Sequence, residues 1–118
     1  SDWIQGVRVG DEPLYLTVAK QIGEWDVNDQ CMLVTGATYP EELGEVRGMV
    51  GDMPLLVPGV GAQGGDVEAV LKAGVDSIGQ GLCISSSRGI IYAGSGLDFA
   101  EKAGQAAMRL RDEINRYR

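Results

Sequence analysis

"LLVPGVGAQGGD", Leu55 to Asp66, is the stretch on which the fold turns. Three bulky apolar residues run into Pro58, and four of the next seven residues are glycine. A short apolar run bounded by such residues reads as a buried strand. Glycine gives up packing and costs conformational entropy, so a cluster marks backbone that must turn tightly or approach something closely. The chain holds 18 glycines in 118 residues, against an ordinary usage of about 7%. They gather at the ends of elements, where turns and ligand-contacting loops sit.

Working outward, Asp66 can cap a following helix with Val67, Val70 and Leu71 turned inward, and Gly74 is a plausible stop. "GLCISS" (Gly81–Ser86) is the next strand, followed by "SRGIIYAG" as about one helical turn. Phe99, Ala103, Ala106, Leu110 and Ile114 mark a long last helix, with Glu101, Lys102, Arg109 and Asp112 outside. Upstream, "QCMLVTG" (Gln30–Gly36) reads as a strand, and Thr38 with Glu41 forms a capping box for a helix carrying Leu43, Val46 and Val50. Leu14, Val18, Ile22 and Trp25 recur at helical spacing from about Pro13 to Trp25. Trp3 and Trp25 read as packing residues, and Lys20, Lys72 and Lys102 as solvated helix residues. Asp2 to Gly10 reads as a loop.

The order is helix–strand–helix–strand–helix–strand–short helix–helix. Alternation with continuously apolar strands implies an α/β fold with parallel βα units and a covered sheet. Residues 1–118 form a single segment. Three parallel strands make a small sheet whose second face needs a partner. A run that starts and ends on a helix looks like the C-terminal portion, the last three strands, of a (β/α)8 TIM barrel, which needs about 250 residues. Upstream chain or a second polypeptide would then supply the rest. A compact Rossmann-like open sheet is the competing reading.

Net charge is −7, which argues against nucleic acid or an anionic membrane as a general partner. No apolar run approaches the ~18 residues that span a bilayer, and no leader is evident. Cys31 and Cys83 each lie in an apolar run without CxxC spacing. They read as reduced core thiols of a cytoplasmic protein. With no histidine in the chain, a Ser-His-Asp triad is excluded and a zinc enzyme disfavoured.

Gly59-Val60-Gly61-Ala62-Gln63-Gly64 is literally G-x-G-x-x-G after a strand and before a helix. A dinucleotide site also wants an acid at the end of the next strand; here that strand ends Ser85-Ser86-Ser87-Arg88. The alternative is phosphate binding by backbone. Gly59, Gly61, Gly64 and Gly65 let the main chain approach an anion. Gln63 adds an amide donor, and Arg88 adds a guanidinium beside a row of hydroxyls at a short helix. Phosphate sites of (β/α)8 barrels are often built from two consecutive strand ends and a short extra helix.

"LLVPGVGAQGGD" with "SSSRGIIYA" downstream, and "TGATYPEEL" (Thr35–Leu43) before them, closely resembles the C-terminal part of orotidine 5′-phosphate decarboxylases of the bacterial branch. The resemblance runs from about Asp2 to the end. It implies that Gln63 and Arg88 grip the substrate 5′-phosphate, helped by main-chain N–H groups of Ser87 and Arg88, and that Pro58 lies near the pyrimidine. It implies orotidylate or UMP as ligand, no metal or organic cofactor, the N-terminal half of the barrel as partner, and a homodimer. The family's proton-transfer chemistry depends on D-x-K-x-x-D, and no aspartate here is followed two residues later by lysine. The chain is therefore expected to carry no catalytic residue and to be inactive alone. A non-enzymatic phosphate-binding module and a dinucleotide-dependent oxidoreductase fragment are the alternatives.

Overall fold

The computed structural model describes residues 2–60 and 66–118; nothing is said of the others, nor of the Asp2 side chain. The chain opens on a short helix, α1 (Asp2–Gln5), and an antiparallel pair, β1 (Arg8–Val9) with β2 (Glu12–Pro13). This small hairpin stands where sequence alone suggested a loop. Then follow α2 (Leu14–Trp25), β3 (Leu33–Val34), α3 (Pro40–Val50), β4 (Leu55–Pro58), α4 (Val67–Gly74), β5 (Leu82–Ser85), α5 (Ser87–Ile91) and α6 (Phe99–Tyr117).

β3, β4 and β5 form one parallel sheet in sequential order, with Leu33 beside Leu55 and Leu55 beside Leu82. Successive side chains alternate between faces. Leu55 and Val57 are fully buried against the helices. Val34, Leu56 and Cys83 share the opposite face by register, and there Val34 is 68% exposed. α2 packs on α3, α3 on α4, and α4 on α6, all over the same side. A doubly wound dinucleotide fold would place helices on both faces. One helical layer over a sequentially ordered parallel sheet is instead the architecture of a segment of a (β/α)8 barrel.

The core is Leu43 and Val46 of α3, Leu55 and Val57 of β4, and Val67, Val70 and Leu71 of α4, joined by Ala19, Ala37 and Val60. Gly74 serves packing more than termination. It is the last residue of α4, and a Cβ there would stand 2.9 Å from Leu43 Cδ2 and 3.2 Å from Leu82 Cδ2. The Asp66 cap is present, its carboxylate accepting from the backbone N–H of Glu68 at 2.9 Å and Ala69 at 3.3 Å.

Several expectations need correction. Thr38 does not cap α3: Tyr39 is the N-cap and makes no side-chain cap bond. Pro40 at the first helical position fixes the start, and the residue before a proline is pushed to extended backbone. On α2 the buried position is Ala19, with Tyr15 and Leu16 against the core, whereas Val18 is exposed and Trp25 is 67% exposed. Trp3 is 78% exposed and Phe99 also faces solvent. Cys83 is exposed rather than a core thiol, because it sits on the uncovered face of the sheet, and Cys31 is half-buried. The strand at Gln30–Gly36 is shorter than the apolar run, although main-chain bonds from Thr35 N to Leu56 O (2.9 Å) and Ala37 N to Pro58 O (3.1 Å) continue it.

Candidate functional site

The carboxyl ends of β4 and β5 lie side by side, with Pro58 registered on Ser85. The Gly59 N–H donates to the Ser85 carbonyl at 3.2 Å, carrying the ladder one step past the strand. Gly59 has φ +94°, a conformation that side chains rarely adopt, so the chain can leave β4 at this angle only through glycine. Val60 then turns back into the core and is fully buried.

On the neighbouring strand, Ser86 is the N-cap of α5 and its hydroxyl makes no cap bond to the helix. Ser87 and Arg88 open that helix and are exposed. Pro58, Gly59, Val60, Ser85, Ser86, Ser87 and Arg88 together line a cavity of about 100 Å³. Its described lining holds one guanidinium, three hydroxyl side chains and no carboxylate. In a chain of net charge −7, that is a local reversal of sign. A planar guanidinium with hydroxyls nearby suits an oxyanion. The described lining has no carboxylate, lysine or thiol to move a proton at neutral pH.

Of the residues singled out from sequence, Pro58, Gly59, Ser87 and Arg88 are thus brought to one concavity. Gly61, Gln63, Gly64 and Gly65 lie outside the described residues. Sequence reasoning missed Val60, whose only signal was an apolar residue between two glycines. A separate cavity of about 500 Å³ lies beside β3 and α2, lined by Leu14, Tyr15, Val18, Leu33 and Val34 among others. It is mainly apolar and reaches Gly36 and Thr38 at the carboxyl end of β3, where the intervening Ala37 N–H donates to the Pro58 carbonyl at 3.1 Å. There the Tyr15 hydroxyl donates to Glu45, and burial together with that carboxylate pushes its pKa up to about 12.

The opposite end of the sheet is organised by Arg47, which sequence reasoning also passed over. Its Nε donates to the Gly74 carbonyl at 2.7 Å, and Nη1 donates to the Gly51 and Met53 carbonyls at 2.6 Å each. Nη2 reaches the Gly81 carbonyl at 3.3 Å. Partial burial lowers the Arg47 pKa, while Asp76 and Asp52 nearby work the other way. Asp52 itself accepts from the Ser77 N–H at 2.9 Å and hydroxyl at 2.8 Å, and these bonds hold its carboxyl below the usual carboxylate range.

No protein-family model matches the chain. It is 54% identical over 116 residues to orotidine 5′-phosphate decarboxylase of Azoarcus sp. (strain BH72), an alignment covering 98% of this chain and 43% of that protein. The structure of Leishmania donovani OMP decarboxylase superposes with a TM-score of 0.77 at 34% identity, over 97% of this chain and 44% of the other. A second solved relative, orotidine 5′-monophosphate decarboxylase from Methanocaldococcus jannaschii complexed with inhibitor BMP, gives a TM-score of 0.59 at 25% identity, over 80% of this chain and 39% of its own. Among the described residues no helix is long and apolar enough to cross a membrane. Along nearly its whole length, then, the chain is similar to the C-terminal part of orotidine 5′-phosphate decarboxylases, of which it spans less than half.

Proposed function

We propose that this chain is the phosphate-gripping portion of an orotidylate decarboxylase barrel, a lyase that releases CO2 from orotidylate to give UMP in pyrimidine biosynthesis. The observation that carries the reading is the meeting of Arg88, three serines and the Pro58–Gly59 turn in one carboxylate-free concavity. In this reading Arg88 and Gln63 hold the 5′-phosphate, with the N–H groups of Ser87 and Arg88, and Pro58 borders the pyrimidine. The loop glycines give the backbone room to approach. Residues 1–118 then act as one segment of a larger barrel. The Lys/Asp machinery comes from its N-terminal half, and the assembled enzyme is a cytoplasmic homodimer. The relative solved with inhibitor BMP supports a nucleotide as the ligand of the family.

Phosphate is remote from the carbon that loses CO2. Its binding energy serves the reaction by positioning the nucleotide and closing the site over it. Arg88→Ala in the full-length enzyme is expected to weaken UMP binding by the worth of a charge-assisted grip, about 2–4 kcal/mol, while uridine binding stays nearly unchanged. Calorimetric titration of both ligands checks this. Equal losses for UMP and uridine remove Arg88 from the phosphate role. Mixing this chain with the N-terminal half and assaying CO2 release separates the enzyme segment from a non-enzymatic binding module.

A further inference from the structure

The Arg47 clamp lies at the end of the sheet opposite the cavity, yet it binds the residues that lead into β4 and β5, the two strands whose far ends open onto the cavity. Its four acceptor carbonyls belong to Gly51 after α3, Met53 before β4, Gly74 at the end of α4 and Gly81 before β5. Among the described residues no carboxylate lies within ion-pair distance of it. The cation is held by carbonyl dipoles, two of them from helix C-termini, where positive charge is favoured. Lysine could not reproduce this, since its ammonium is a point donor and not a planar fork.

We propose that Arg47 is a positioning residue for the phosphate site. By fixing where β4 and β5 begin relative to one another and to the end of α4, it sets the spacing of Pro58–Gly59 against Ser85–Arg88 at the far end. The strands that carry this spacing are four residues long and paired along their whole length. At about 3.3 Å per residue the clamp acts over roughly 15 Å. So short a ladder has few bonds with which to hold its own register, and a shift at one end reappears at the other.

This inference rests on the function proposed above, and the experiment separates the two. UMP and uridine are titrated against the full-length protein and its Arg47→Met, Arg47→Lys and Arg88→Ala variants, at a temperature where circular dichroism shows each folded. Arg47→Met is expected to weaken UMP binding about ten- to a hundredfold, the scale of a small misplacement, with uridine, which meets only the Pro58 side of the site, weakened by about threefold at most. Arg47→Lys is expected to restore little of this, because charge alone does not span four carbonyls. Unchanged UMP binding in a folded Arg47→Met protein, parallel losses for UMP and uridine, or full rescue by lysine overturns the positioning role. So does failure of both Arg47 variants to fold, since the residue would then serve stability at large. If Arg88→Ala also leaves UMP binding intact, the phosphate site itself is wrong; if only the Arg47 variants do so, the site stands and the clamp is irrelevant to it.

Discussion

Gly59 shows how much of the site rests on one backbone angle. At φ +94° with its N–H bonded to Ser85, it both ends a strand and joins two loops. Gly59→Ala asks a side chain to take up that angle, which costs of order 1–3 kcal/mol. The expected result is a lowered urea midpoint together with weakened UMP binding. The Asp66 cap is a simpler case. Asp66→Ala removes an acceptor shared by two helix N–H groups and is expected to cost about 1 kcal/mol by urea titration. Asp52 gives the pH dependence. Its folded-state pKa is depressed by the Ser77 bonds, so the unfolded chain takes up a proton first as acid is added. The stability it contributes is present above the ordinary carboxylate value and is lost as pH falls through the lowered one. Asp52→Asn is expected to flatten that part of the acid limb, and urea unfolding at stepped pH reads it.

At the scale of elements, the steepest dependence lies between α3 and α4. Leu43 is fully buried and closes on Gly74. Leu43→Ala is expected to cost about 2–5 kcal/mol, seen as a fall in thermal midpoint. These same elements show what could be read beforehand. β4, α4 and β5 were legible because a continuous apolar run, a side-chain cap and a second apolar run leave little choice. The start of α3 was misread because the chemistry of Thr38 and Glu41 is sound locally, and Pro40 overrides it. The inner stripe of α2 was displaced by one position, since Leu14 and Tyr15 are both apolar enough to lead it. Cys83 was misplaced for a different reason. A continuous apolar run reads the same whether one face of its strand is buried or both. Arg47 carried no signal at all: its partners are backbone carbonyls, and no residue pattern announces them.

The whole molecule is one half-covered layer. Its helices protect one side of the sheet, and its principal extents of 54 × 33 × 23 Å are those of a slab more than a sphere. Such a slab leaves strand edges as templates for pairing with other chains. Cys83 sits on the uncovered side beside Leu56, with its thiol reachable from solvent. That sulfur is therefore a built-in reporter. A maleimide should label it quickly in the isolated chain and slowly once another polypeptide closes over the sheet, so that the rate of alkylation counts how much protein has assembled.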